Sequence, residues 1–171
     1  MRRRTFLWEG GGFTAALALS PGLAMSGSVV EITMGGRADG SKVWFDPIGL
    51  LIQPGQTLRW TNKDKGNSHT ATAYTAESYD RPRRIPNGAK PFNSDFLLPD
   101  EAFEVTLDTP GVYDYFCIPH ELSGMVGRII VAEPGQFAFE GYPDNNLEQA
   151  VLDGFPPIDD ILGQSSISMD Q

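Results

Sequence analysis

Apolar and polar residues alternate with period two over short segments of this chain, and no stretch carries the 3.6-residue period of a long amphipathic helix. Ser28 to Met34, Gln56 to Thr61, Glu101 to Leu107, Val112 to Cys117 and Met125 to Glu133 are rich in β-branched and aromatic residues. Each therefore reads as a strand. In the third, Phe103, Val105 and Leu107 share one face while Glu104 and Thr106 take the other, the pattern of a half-buried strand. Pro54-Gly55, Lys65-Gly66-Asn67, Pro99-Asp100 and Thr109-Pro110-Gly111 supply the turns between them. Several short strands at such spacing imply a β-sandwich or barrel. At 171 residues the chain suits one domain with extensions. Its single cysteine excludes an internal disulfide framework, so packing or a bound metal must hold it together.

The two ends differ from the middle. Residues 1–26 open with Arg2-Arg3-Arg4, continue through a weakly apolar Gly- and Ala-rich stretch, and finish in small residues, which reads as a signal peptide. Arg3-Arg4-Thr5-Phe6-Leu7 resembles the twin-arginine export signal, with Trp8 where that pattern often has Lys. A permanent membrane anchor fits less well, because Gly10, Gly11, Gly12, Ser20, Pro21 and Gly22 interrupt the uncharged run. Residues 134–171 form an acidic extension with seven Asp or Glu and no Lys or Arg. A short helix is expected near Leu147 to Leu152, stopped by Phe155-Pro156-Pro157. Phe137, Phe139, Tyr142 and Phe155 argue against pure disorder there, leaving the extension to cover the sandwich, bind a partner or stay mobile.

Charge narrows the function. The formal net charge is −9, and the central domain, residues 27–133, holds 10 basic against 14 acidic residues. This balance argues against nucleic acid, because phosphate binding draws on clustered Lys and Arg. The one basic run in the domain, Arg81-Pro82-Arg83-Arg84 with Lys90 nearby, either docks an acidic redox partner, pairs with the acidic tail or is a solvated loop.

Both histidines and the only cysteine fall in two places: His69, and the run Cys117-Ile118-Pro119-His120-Glu121-Leu122-Ser123-Gly124-Met125. A tight loop between two strands turns Cys117, His120 and Met125 toward one point, and His69 arrives from another segment. One thiolate, two imidazoles and a thioether make a soft donor set, the signature of a blue-copper electron-transfer site. Taken singly, Cys117 and Met125 are ordinary core fillers and each His a satisfied polar group. Jointly they point to copper. Zinc on Cys117, His69, His120 and water is the nearest rival, and it leaves Met125 without a purpose.

The C-x-P-H-x-x-x-G-M loop from Cys117 to Met125 resembles the ligand loop of plastocyanins and pseudoazurins in both spacings, whereas azurin-type and amicyanin-type loops differ in length. Pro91 to Pro99 and Pro110 to Cys117 are similar to halocyanin and amicyanin sequences, and Asn62-Lys63-Asp64 with His69 adds to the likeness, which spans about Ser28 to Glu133. The resemblance is to the cupredoxin family of type 1 copper proteins. It implies an all-β, eight-stranded Greek-key β-sandwich with one copper ion near one end, held by His69, Cys117, His120 and Met125. It further implies that electrons pass through the edge of His120, ringed by Pro119, Leu122 and Gly124, with Glu121 as a charge beside that exit. Thr70 stands where plastocyanins commonly carry Asn, so the hydrogen bonds near His69 are expected to differ. Pro119 lacks an N–H and so cannot donate to the Cys117 sulfur.

The resulting expectation is a small exported copper protein, in the periplasm or at the cell surface. It carries single electrons between a donor and an acceptor protein as a monomer without a membrane span, and it is not an enzyme. A copper oxidase or nitrite reductase needs more histidines than the two present. A copper-delivery protein is the third class, separated by whether redox cycling occurs without loss of metal.

Overall fold

Alternation decides which side of each strand is buried. In strand β1 (Val30–Gly36), Ile32 and Met34 are fully buried and Glu31 is exposed; in β4 (Gln56–Asn62), Leu58, Trp60 and Asn62 point inward. The computed structural model describes residues 28–143 and 147–169; the expected signal peptide, residues 1–26, lies outside them. In chain order the other strands are β2 (Val43–Asp46), β3 (Gly49–Ile52), β5 (Thr72–Ala73), β6 (Ala102–Leu107), β7 (Gly111–Phe116), β8 (Val126–Val131) and β9 (Ser166–Ile167). Among the described residues the α-helices are α1 (Gln149–Leu152) and α2 (Ile158–Gln164).

One sheet has the order β2-β1-β4-β6 and the other β5-β7-β8-β3-β9. β1 lies parallel to β4 and β3 parallel to β8, while the remaining pairs are antiparallel, as the chain crosses between layers in a Greek-key sandwich. The layers meet through aromatic side chains: the Tyr115 ring sits 4.7 Å from Phe45 and 5.4 Å from Trp60, centroid to centroid. β1 to β8 are the eight strands expected of the sandwich, and β9 is an addition from the C-terminal extension.

That extension covers the sandwich. β7 is buried on both faces: Tyr113 and Tyr115 enter the main core, while Val112, Asp114 and Phe116 point the other way and are equally hidden. Val112, Ile130 and Ala132 pack against Ile161 of α2, with Phe137, Phe139 and Tyr142 alongside. Phe116 and Val126 pack with Tyr74 against Val151 of α1 and Phe155. Burying an aliphatic or aromatic side chain of this size stabilises by about 1.5–3 kcal/mol, enough for a few such anchors to order an acidic segment.

A buried ionic cluster fastens the cover. Asp114 accepts from Arg84 Nε at 2.8 Å and from Arg128 Nε and Nη2 at 2.7 and 3.0 Å. The same guanidiniums donate to the carbonyls of Pro143 and Pro156, and both lie about 5 Å from the Phe155 ring centroid (5.0 and 4.9 Å). Cations desolvated against an aromatic face are attracted to it. Of the basic run, then, Arg84 is internal and anchors the tail. Arg83 donates to the carbonyls of Pro86 and Ala89, and Lys90 is exposed.

Candidate metal centre

Cys117 follows β7 directly and opens a 3₁₀ turn, Ile118–Ser123, that carries His120 and ends at Gly124 with φ +76°. This positive φ is the left-handed conformation that glycine adopts without strain. Met125 then leads into β8. The loop is cinched by its own backbone: Cys117 N–H donates to the Met125 carbonyl at 3.0 Å, His120 N–H to the Cys117 carbonyl at 3.0 Å, and Met125 N–H to the His120 carbonyl at 3.2 Å.

His69 comes from the connection between β4 and β5, where it pairs with Leu97 through two backbone hydrogen bonds of 2.8 and 3.2 Å. Asn62 at the end of β4 fixes that connection, its Nδ2 donating to the carbonyls of Asn67 and Leu97, both at 2.9 Å. Thr70 ties His69 to the other half of the site. Its N–H points at Cys117 Sγ (3.4 Å), and its hydroxyl accepts the Ile118 N–H at 2.9 Å. The different residue after His69 thus supplies a hydroxyl bridge between the two donor-bearing loops.

Three donor atoms converge. His69 Nδ1 and His120 Nδ1 are 3.1 Å apart, and Cys117 Sγ lies 3.6 and 3.4 Å from them. A point equidistant from these three corners is about 2 Å from each, close to the metal–imidazole bond length of about 2.0 Å, although metal–thiolate bonds run to about 2.3 Å. The residues present therefore fit a small cation. His69 and Cys117 are buried, and His120 is the partly exposed member of the three. Met125 is fully buried in the hydrophobic cluster that also contains Cys117.

Protonation states suit metal capture. Burial pushes the Cys117 thiol up to about 11, and the N–H of Thr70 only partly opposes it. Burial lowers the basicity of both imidazoles, although Asp64 pulls that of His69 back up. Neutral imidazoles offer lone pairs, and the thiol must give up its proton to an arriving ion.

Two residues have roles that sequence reasoning did not assign. Asp64 Oδ2 lies 3.1 Å from His69 Nε2, with both side chains buried. Glu121, expected at the surface beside the electron exit, is 3% exposed. Its carboxylate accepts from Tyr74 Oη at 2.9 Å and from Arg81 Nε at 3.0 Å, so it pins the ligand loop to the basic loop instead of facing solvent. Leu122 beside it is exposed, as is Pro119.

Comparison with known proteins identifies the family. Residues 31–132 match the family described as copper binding proteins, plastocyanin/azurin family. A plastocyanin of Scenedesmus fuscus is 32% identical over 105 residues, covering 59% of this chain and 99% of its own. A pseudoazurin of Methylorubrum extorquens is 26% identical over 144 residues, covering 82% and 88%. Among solved structures, a Sinorhizobium pseudoazurin shares 34% identity at a TM-score of 0.47, covering 63% of this chain and 77% of that one. The chain belongs to the plastocyanin/azurin family of copper binding proteins. It is a small type 1 copper electron-transfer protein, and its cofactor is copper.

Proposed function

We propose that His69, Cys117, His120 and Met125 are the copper ligands, within a copper domain of residues 27–133 flanked by a signal peptide and a tail. The observation that carries the assignment is the triangle of His69 Nδ1, Cys117 Sγ and His120 Nδ1, with sides of 3.1, 3.4 and 3.6 Å. Met125 completes it as the weak thioether ligand, being buried at the end of the loop that carries two of the others.

The chemistry supplied by the ion is a one-electron change between Cu(II) and Cu(I). The protein's part is to keep the donors still. Asn62, Thr70 and the backbone bonds across Cys117–Met125 hold both ligand segments at once, so little rearrangement accompanies the electron. His120 is the least buried donor and serves as the route to a partner, with Pro119 and Leu122 exposed beside it.

The reading extends to a carrier that is not itself an enzyme. With two histidines in the sequence, both in the donor triangle, this chain offers no further imidazole for a catalytic copper. The leader resembling a twin-arginine signal supports export to the periplasm or cell surface, where the protein shuttles electrons as a monomer between a redox donor and an acceptor. No helix among the described residues is long and apolar enough to cross a membrane.

The test is the visible spectrum of the Cu(II)-loaded protein before and after ascorbate, beside Cys117→Ser. An intense thiolate-to-copper band, reversibly bleached and absent in the variant, is expected. A colourless protein that retains metal excludes the carrier reading and favours zinc or copper delivery.

A further inference from the structure

The side of His69 turned away from the donor triangle meets a carboxylate that was built into place. Asp64 is 5% exposed, and its Oδ2 lies 3.1 Å from His69 Nε2. Asn67 Nδ2 donates to the same oxygen at 2.8 Å, Gly66 N–H donates to Oδ1 at 2.8 Å, and Asp64's own N–H donates to Asn62 Oδ1 at 2.9 Å. Strand β1 makes room for it: a Cβ on Gly36 would fall 2.0 Å from Oδ2, so only a glycine there lets the carboxylate reach the imidazole. Gly66 and Asn67 hold the carboxylate from within its own turn, and the oxygen that Asn67 engages is the one that faces His69 Nε2.

We propose that Asp64 is a positioning residue for the copper site, orienting His69 and holding the reduction potential down through its negative charge. This rests on the reading of His69 as a ligand. The Nε2–H of His69 donates to the carboxylate, which fixes the tautomer and turns the Nδ1 lone pair toward Cys117 Sγ and His120 Nδ1. Charge supplies the second effect. Cu(II) with one thiolate carries net +1 and Cu(I) with one thiolate carries none, so a buried anion behind His69 favours the oxidised state.

Asp64→Asn keeps an acceptor oxygen for His69 and removes the charge, and it is compared with the full-length protein as the copper form. Spectroelectrochemical titration is expected to show the oxidised-to-reduced ratio at fixed applied potential falling about tenfold, a rise in midpoint of about 59 mV for one electron. Cu(II) affinity, read by competition with a chelator, is expected to fall by about 10–100-fold. An unaltered midpoint in a folded, copper-loaded variant overturns the proposal, because a structural role changes melting temperature alone. A second measurement needs no substitution: ¹⁵N spectra of the metal-free protein are expected to show His69 protonated at Nε2, and a proton on Nδ1 overturns the proposal even where Asp64→Asn does not fold. Failure here differs from failure of the ligand assignment. In the first case the copper–thiolate band of the protein is still lost or shifted by His69→Gln; in the second it is not.

Discussion

Arg84 Nε donates to Asp114 Oδ2 at 2.8 Å with both side chains almost wholly removed from solvent, at 4% and 0% exposure. Arg128 shares the same carboxylate, so one anion serves as counter-charge to two inward-facing guanidiniums whose remaining N–H groups hold tail carbonyls. Replacing Asp114 by Asn leaves those cations without a counter-charge. The expected loss is about 3–5 kcal/mol, a drop in Tm on the order of 10 °C. Thermal unfolding followed by circular dichroism measures it, and a Tm within a degree of the parent contradicts this account of the cluster.

The extension is expected to behave as part of the fold. Removing residues 134–171 uncovers Val112, Phe116, Val126 and Ile130, so the truncated chain should melt earlier and self-associate. The milder Phe155→Ala deletes one ring packed against two guanidiniums and should cost about 3 kcal/mol. Urea unfolding of the two variants provides the comparison. A truncated chain as stable and as monodisperse as the whole one would show that the tail only rests on the sheet.

Glu121→Gln should act on stability and leave the ionic-strength dependence of electron transfer nearly unchanged. The substitution removes the charge that Arg81 and Tyr74 engage, at a cost of about 1–3 kcal/mol. Salt-dependent rates with any small-molecule oxidant, measured beside denaturant midpoints, separate the two effects. A steep change in salt dependence with no loss of stability would return Glu121 to the surface role its position beside His120 suggested.

The buried thiol makes two pH predictions. The ordinary value for Cys is 9.0, and burial raises that of Cys117 to about 11. The unfolded chain therefore releases this proton first as pH rises. The metal-free protein keeps the whole of this contribution below about pH 9 and loses on the order of 2–3 kcal/mol by pH 11. Cys117→Ser should flatten that part of the profile. Copper capture releases the same proton, so apparent affinity should rise about tenfold per pH unit from neutral pH toward pH 11. Calorimetry in buffers of different ionisation enthalpy counts the proton directly, and a count of zero contradicts the assignment of Cys117.

Much of this architecture was legible before any coordinates. β1, β4 and β6 announce themselves by alternation and β7 and β8 by their β-branched and aromatic residues, and the spacing from Cys117 to Met125 brings three candidate donors into one loop. β2, β3 and β5 were missed because each is only two to four residues long, and β3 and β5 also take their identity from partners far along the chain, as Thr72 does opposite Phe116. The tail's packing hid behind its acidic composition. A signal was present in the unbroken apolar run Ile129-Ile130-Val131, which a strand with one wet face does not carry. Asp64 could not be assigned from its own neighbourhood, because its approach to His69 depends on Gly36, a residue in a different strand.

Sheets are vulnerable at their margins, where unpaired N–H and C=O groups invite a foreign strand. β3 would be such a margin, yet β9 closes it, with Ile48 N–H donating to Ile167 and Leu51 N–H to Ser165, both at 2.8 Å. At the opposite end of that sheet stands β5, two residues long and too short to template anything. The chain thus carries its own edge guard, far downstream in sequence of the strand it covers. Until residues 165–167 arrive, a nascent molecule shows an open strand to its neighbours, and a copy that lends its tail to the next one would link the two without any new surface being required.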